Sequence, residues 1–351
     1  MSSNGSLGSL RGMVGGARPH QDLVDPFGRV IRDLRISVTD RCNFRCTYCM
    51  PEEGMKWLDR SEVMTFEEIE RLARIFVERY GVEGIRLTGG EPTVRAHLPV
   101  LVSKLAALEG AAGPVDLAMT TNGATMRLVA DTLREAGLDR VNISLDTLDR
   151  EKFAQMTRRD EIERVLDGIE AAKEAGFDPV KINAVVERGT NDDEIVDLAT
   201  YGRDHGVEVR FIEYMPLDAE GHWMNDKVVG QDEIVATIDA VYPIEQMPAR
   251  GAAPADRFRY LDGAGMIGVI PTVTKPFCGD CDRVRLTAEG EFRTCLFATK
   301  EFDLLSAMRD GETDDQVAAR IEAAVAAKWA GHQISQVDFV RPSKSMSQIG
   351  G

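Results

Sequence analysis

Six cysteines stand in two triplets. Cys42, Cys46 and Cys49 lie within DRCNFRCTYCMP, and Cys278, Cys281 and Cys295 within FCGDCDRVRLTAEGEFRTC. Thiolates suit zinc and iron–sulfur clusters. A structural zinc site normally takes four protein ligands, and each triplet is one short. The histidines, His20, His97, His205, His222 and His332, have no close ligand spacing to either triplet. Zinc completed by a distant histidine, and a two-zinc cluster sharing all six thiolates, are the bland readings. The sharper one, argued for the first triplet, is a [4Fe–4S] cluster with one iron left open for a small molecule.

Positioning these residues falls to a β–α alternation that begins near residue 33. The predicted strands are DLRISVT, GIRLTGG, VDLAMTTNG, RVNISLD, VKINAVVE and VEVRFIEYMP. Helical patterns separate them: TFEEIERLARIFVERY, with Thr65 and Glu68 in capping-box spacing, then LVADTLREAGL, EIERVLDGIEAAKEAGF and DDEIVDLATYGRDHG. Strand-then-helix repetition implies parallel strands with helices outside. The fold class expected is α/β, an incomplete (β/α)6 barrel of TIM type rather than a closed eightfold one. The first triplet follows the first strand, at the barrel end where active sites lie.

After about residue 217 the pattern changes. A helical stretch, QDEIVATIDAVY, precedes two hairpin-like segments, RFRYLDGAGMIGVI and VRLTAEGEFRTCLF, and a strong helix candidate, TDDQVAARIEAAVAAKWAG. The expected division is a flexible leader over 1–24, a partial barrel over 25–217, an α+β extension over 218–340 and a flexible tail over 341–351. The extension carries the second triplet and is expected to close the barrel mouth.

The strands do not read as the continuous apolar runs of a parallel sheet covered on both faces. Leu34, Ile36 and Val38 alternate with Arg35, Ser37 and Thr39; Ile85 and Leu87 with Arg86 and Thr88; Val141, Ile143 and Leu145 with Asn142, Ser144 and Asp146; Val180 and Ile182 with Lys181 and Asn183. Successive side chains point to opposite faces. One face therefore packs on helices, and the other, polar and cationic, lines a cavity, because unpaired charge is too costly in a dry core. Arg35, Arg86 and Lys181 on one wall suggest an anion, phosphate above all.

The 351-residue chain is 43% hydrophobic, enough for a packed core, and carries a formal charge of −16, which argues against non-specific nucleic-acid binding. No apolar run approaches the ~20 residues of a membrane span. MSSNGSLGSLRGMVGGARPHQ has no apolar secretory core; it lacks acids and carries two arginines, a weak transit-peptide feature, without amphipathic periodicity. The cysteines are accordingly read as metal ligands in a reducing cytoplasm rather than as disulfides.

C-x3-C-x2-C with Tyr48 before the last cysteine, followed by GGEP at Gly89 to Pro92 on the second strand, resembles the radical S-adenosylmethionine (SAM) superfamily. LRISVTDRCNFRCTYCMP, LTGGEPTVR, TTNG, the C-x2-C-x13-C triplet and the terminal Gly-Gly narrow the resemblance to the GTP 3′,8-cyclase family, molybdenum cofactor biosynthesis protein A, over residues 25 to 351. The resemblance implies two [4Fe–4S] clusters, the first holding SAM and the second the guanine of GTP. It implies SAM contacts at Tyr48, Gly90, Ser144 and Met215. It implies GTP contacts at Arg35, Arg86, Thr120, Lys181, Arg283, Val284 and Arg285, and catalytic roles for Arg283, Arg285, Gly350 and Gly351. The activity implied is conversion of GTP to 3′,8-cyclo-7,8-dihydro-GTP, the first step of molybdopterin synthesis. An external electron donor such as a flavodoxin or ferredoxin and a downstream cyclic pyranopterin monophosphate synthase are the implied partners, and a homodimer rests on family analogy alone. The competing readings are a radical SAM peptide maturase with an auxiliary cluster, for which six cysteines are few, and a zinc-stabilised scaffold, which has no use for GGEP.

Overall fold

The computed structural model describes residues 20–248, 251–332, 334 and 339–350. Its strands are β1 (Asp33–Ser37), β2 (Gly84–Thr88), β3 (Glu109–Gly110), β4 (Gly113–Pro114), β5 (Asp116–Thr121), β6 (Arg140–Ser144), β7 (Lys181–Val186), β8 (Glu208–Glu213), β9 (Ile244–Gln246), β10 (Asp256–Tyr260), β11 (Met266–Ile270), β12 (Arg283–Leu286), β13 (Glu291–Arg293) and β14 (Phe302–Asp303). Its α-helices are α1 (Phe66–Arg74), α2 (Leu98–Ala106), α3 (Met126–Glu135), α4 (Arg150–Thr157), α5 (Ile162–Glu174), α6 (Ile195–His205), α7 (Gln231–Asp239), α8 (Leu305–Arg309), α9 (Asp314–Val325) and α10 (Met346–Ile349). None is long and apolar enough to cross a membrane, among the described residues.

The six expected barrel strands are present and pair in parallel in the order β1-β2-β5-β6-β7-β8. Leu34, Ile36, Leu87, Val141, Ile143 and Ile182 are fully buried in the main core, as the alternation requires. The helices begin and end where their caps are. Thr65 and Glu68 form the expected capping box of α1, and α6 stops at Gly206, which is left-handed at φ 66°. Helices α2 and α4 have weaker local signals. His97, before α2, offers no side-chain cap, and α4 has only 8 residues.

The extension does more than cover the mouth. Its first hairpin, β10–β11, lays β11 parallel to β8, and its second, β12–β13, lays β12 parallel to β1. The barrel is thus widened at both edges into a sheet of twelve strands ending at β14 and β9, and it stays open. The physical cause is edge protection: an unpaired parallel edge leaves a row of backbone donors and acceptors unsatisfied.

The described residues near both termini are more structured than the sequence suggested. Leu23, placed in the leader by sequence, is in the core, and Gln21 N donates to Arg79 O at 3.0 Å. The expected flexible tail is built into the fold from Arg341 to Gly350. Arg341 pairs with Asp218 at 3.3 Å, Lys344 with Glu289 at 2.6 Å and Glu301 at 2.9 Å, and Ser345 and Gln348 cap α10. Ile349 packs in a second apolar cluster with Leu217, Val273, Phe297 and Ile334. A sequence window cannot foresee partners more than 40 residues away. Gly351 lies outside the described residues.

Candidate active site

One cavity of about 320 Å³ opens inside the barrel, and all six cysteines line it. Two triplets more than 200 residues apart in sequence therefore face a common space. Among the described residues, no three His, Cys, Asp or Glu side chains gather around one point as the ligands of a single ion would. The donors to a four-iron cube stand further apart, one per iron.

The first triplet occupies the loop after β1. This loop rests on the glycine pair that ends β2. A Cβ on Gly90 would stand 2.3 Å from Arg41 O and 2.6 Å from Asp40 O, and one on Gly89 2.6 Å from Thr39 O. The sequence argument took Gly90 as allowing close approach to a ligand; the approach it also allows is to the cysteine loop itself. Glu91 is buried below the loop and accepts from Thr121 Oγ1 and Asn122 N, both at 2.7 Å. Asn122 Nδ2 in turn donates to Asn43 Oδ1 at 2.8 Å. GGEP and TTNG thus brace the loop from two strands. Tyr48 Oη reaches across to Asp146 Oδ2 at 2.7 Å. Burial pushes the Asp146 carboxyl up to about 6.

Burial likewise pushes the Cys42 thiol up to about 11 and that of Cys49 to about 12, and Cys46 is raised further by its neighbours Cys49 and Asp146. Three thiolates side by side are untenable here without a cation to hold them. The donor set fits an iron–sulfur cluster. In the second triplet burial raises Cys278 and Cys295 as well, and Cys281 is the exception: burial still opposes its ionisation, but the charges of Arg283 and Lys328 overcome it and hold the thiol below its usual value.

The second triplet is fastened from behind. Arg29 Nη1 donates to Cys278 O at 2.5 Å and Ala330 O at 2.6 Å, Nη2 donates to Trp329 O at 2.5 Å, and Nε pairs with Asp25 Oδ2 at 2.5 Å. Lys328 Nζ donates to Arg283 O at 2.8 Å. Neither cation's link to the second triplet was marked by its sequence context, since the partners there are backbone carbonyls supplied by the fold.

Strand register then assembles the cations. Arg35 on β1 stands opposite Arg285 on β12 and Arg86 on β2. Three arginines thus form a row across neighbouring strands, whose backbones run ~4.8 Å apart. Burial lowers the pKa of each, and Arg35 adds repulsion to both neighbours. A guanidinium keeps its proton in a protein, so the row stays charged. The Nε atoms of Arg35 and Arg86 and Nη2 of Arg283 are buried without a hydrogen-bond partner. Buried donors left open in this way call for an anionic acceptor.

Most of the sequence-derived site residues meet here. Tyr48, Gly90, Ser144 and Met215 line the cavity, as do Arg35, Arg86, Thr120, Arg283 and Arg285. Gly350 adjoins it: its carbonyl accepts from Arg285 Nη1, and a Cβ there would stand 2.7 Å from Thr88 Oγ1. Val284 faces away, wholly buried in the core between the two arginines. Lys181 lies beside the cavity rather than on its wall, at the start of β7 among Arg210, Glu208, Arg140 and Arg257. Among the lining residues that were missed, five polar ones bear on the chemistry. Arg210 was legible, because Val209 and Phe211 alternate with it into the core. Asn122 was legible in TTNG. Asn142 and Asn183 were on the polar face without an assigned role, and His332 has no local signal at all.

Burial, with Arg210 next, pushes Lys181 down from the usual 10.5 to about 8. In the unfolded chain it keeps its proton to the higher value, so between these pH values the unfolded state binds more protons. Stability is expected to rise with pH across that window through this residue. Denaturant unfolding at pH 7.5 and 9.5 should show the rise in the native chain and a smaller one in Lys181→Met.

Two family profiles match successive parts of the chain. The Radical SAM superfamily profile matches residues 36–201, and Molybdenum Cofactor Synthesis C matches 207–334. The chain is 47% identical over 331 residues to the GTP 3′,8-cyclase of Streptomyces coelicolor, covering 94% of this chain and 96% of that protein. It is 47% identical over 336 residues to the GTP 3′,8-cyclase of Corynebacterium glutamicum, covering 94% and 89%. Among solved structures, Streptococcus suis SuiB superposes with a TM-score of 0.57 at 14% identity, over 83% of this chain and 67% of that one, a likeness of fold.

Proposed function

This chain belongs to the GTP 3′,8-cyclase family of radical SAM enzymes, and from that premise we propose how its cavity divides the work. The activity is conversion of GTP to 3′,8-cyclo-7,8-dihydro-GTP, the first step of molybdenum cofactor biosynthesis, with SAM and two [4Fe–4S] clusters. The observation that carries the division is the single cavity lined by both cysteine triplets and by the arginine row between them.

Cys42, Cys46 and Cys49 would hold the first cluster, and Cys278, Cys281 and Cys295 the second. When bound, the first cluster with SAM supplies a 5′-deoxyadenosyl radical that takes the ribose 3′ hydrogen of GTP. The protein's task is to place that hydrogen and keep water and other hydrogens away. Tyr48, Gly90, Ser144 and Met215 define the SAM side. Arg283 and Arg285, on the same face of β12, take the guanine end of GTP beside the second triplet. Arg35, Arg86 and Thr120 orient its ribose and phosphates, with Arg210 and Lys181 adding charge beyond them. Val284 contributes through its backbone. Gly350 sits on Arg285 and Thr88, so a residue without a side chain borders the substrate's space without filling it. An external one-electron carrier, such as a flavodoxin or ferredoxin, supplies the electron, and cyclic pyranopterin monophosphate synthase consumes the product. The chain works in the cytoplasm, and a homodimer is consistent with the family.

The test uses anaerobically reconstituted protein with SAM and dithionite, measuring 5′-deoxyadenosine with GTP, with ATP and with no nucleotide. Strong formation only with GTP, with transfer of label from the ribose 3′ position, is expected. Formation indifferent to GTP would remove the substrate assignment and leave the radical chemistry. No formation despite full iron would return the zinc-scaffold reading.

A further inference from the structure

The outer face of the first cysteine loop carries a set of arginines that the site above does not use. Arg45 Nη1 donates to Cys42 O at 2.8 Å and Phe44 O at 2.7 Å. Arg159 Nε donates to Asn43 O at 3.0 Å. Arg158 Nη1 donates to Met50 O at 3.0 Å, its backbone held in the left-handed region at φ 55°. Arg41, at the start of the loop, is exposed. These side chains wrap the backbone that carries the three thiols, on the side away from the cavity.

With a formal charge of −16, acids are in excess, and most arginines on the surface elsewhere are paired with them, among them Arg71 with Asp314, Arg127 with Asp167, Arg150 with Asp160, Arg188 with Glu233, Arg259 with Glu245 and Arg320 with Glu312. Arg60 and Arg134 are exposed exceptions, scattered rather than gathered on one loop. Around the loop only Arg158 has an acidic partner, Glu220 at 3.0 Å. Among the described residues, Arg41, Arg45 and Arg159 form no ion pair, although Glu52 and Glu53 follow closely and are exposed. Arg45 and Arg159 hold the loop through its carbonyls, and with exposed Arg41 they leave positive charge on this face that a negative partner can read.

We propose that this face is the docking surface for an acidic one-electron carrier protein that reduces the first cluster. The inference rests on the cluster reading above. SAM and GTP fill the cavity on the inner side of the loop, so the outer face is the approach left to a reductant. Here a partner's surface comes within one residue of Cys42, through Arg41, Asn43 and Arg45. One electron leaves the carrier, which is oxidised by one, and enters the cluster, which is reduced by one; no atom or proton moves. Complementary charge speeds this encounter and makes it sensitive to salt.

The test follows reduction of the reconstituted full-length protein by stopped-flow absorbance, with a reduced acidic flavodoxin as the probe and dithionite as the small-molecule control. The native rate with flavodoxin is expected to fall steeply with added salt. Arg41→Glu and Arg159→Gln are expected to slow it, by about tenfold for the double variant at low salt, while iron content and the dithionite rate stay native. Arg41→Lys and Arg159→Lys should restore the flavodoxin rate, since charge is what is read. If Arg159→Gln loses iron, Arg41→Glu carries the test alone, because its side chain makes no hydrogen bond in the structure. A salt-independent native rate, or an iron-replete charge-reversed variant reduced by flavodoxin at the native rate, would overturn the proposal; so would a patch that binds RNA while reduction is untouched. Failure of dithionite itself to reduce the protein would instead strike the cluster reading.

Discussion

Gly90→Ala is expected to fold, to lose roughly half of the reconstituted iron and to cleave SAM at least about a hundredfold more slowly. The added Cβ would stand 2.3 Å from Arg41 O and 2.6 Å from Asp40 O. Both are backbone atoms, so no rotamer change relieves the clash. The two chains are also tied, Gly90 N to Thr39 O at 2.7 Å and Glu91 N to Arg41 O at 2.8 Å. The loop must therefore shift, and Cys42 is the next residue. Overpacking of this kind costs about 1–3 kcal/mol of stability, too little to unfold a core of this size but enough to misplace a ligand by the fraction of an ångström that matters. Gly279→Ala is the contrast. It sits between Cys278 and Cys281, where a Cβ would meet nothing within 4 Å, and it should keep its iron and its rate. The pair of variants is read by iron per chain and by 5′-deoxyadenosine formed. A Gly90→Ala protein with full iron and native cleavage would show that the loop tolerates displacement.

Arg285→Ala is expected to lower kcat/KM for GTP by about 10²–10³, the range found when one partner of a buried charged contact is removed, while the ligand-free protein becomes no less stable. The two effects have one origin. Arg285 is 6% exposed and stands beside Arg35, and burial together with that neighbour holds its pKa well down. The charged form is thus disfavoured in the empty fold, and deleting it removes a desolvated like charge. With an anion in the cavity the same charge becomes the favourable partner. Thermal melts of the ligand-free variant should match or exceed the native value, and the stabilisation by GTP should shrink. Arg285→Lys is expected to recover little, because a point charge does not replace the planar fork that faces the cavity and donates to the Gly350 carbonyl. Faster protease cleavage near Lys344 would report loss of the tail's anchor. A variant that melts several degrees lower yet binds GTP normally would make Arg285 a structural residue only.

The chemistry was legible where it depends on residue type and short spacing. C-x3-C-x2-C, GGEP and the arginine pair after Cys281 each occupy a few adjacent positions, and each lies on the cavity. The alternation in β1, β2, β6 and β7 told which side chains face inward, and Arg35, Arg86, Ser144 and Asn183 do line the cavity. The same rule applied to β8 would have yielded Arg210. It failed for Lys181 in a particular way: facing inward does not say at what height along the strand the cavity ends. Val284 shows the converse, since its side chain is on the core face although it lies between two site residues.

By itself the sequence determined the six barrel strands, most of the helices between them, their two faces and the two cysteine triplets, because a period of two, a period of 3.6 and a ligand spacing are all set within a dozen residues. The tertiary structure alone decided which of these stand side by side. Parallel strands have no connecting turn to set their register, so nothing local says that Arg35 lies opposite Arg285, 250 positions away. The same holds for the extension that pairs with both barrel edges, for Arg29 fastened to the second triplet, and for the tail folded back onto Arg285. Each is a contact between distant segments, chosen by the burial of whole faces and the pairing of backbone groups rather than by the residues next to it.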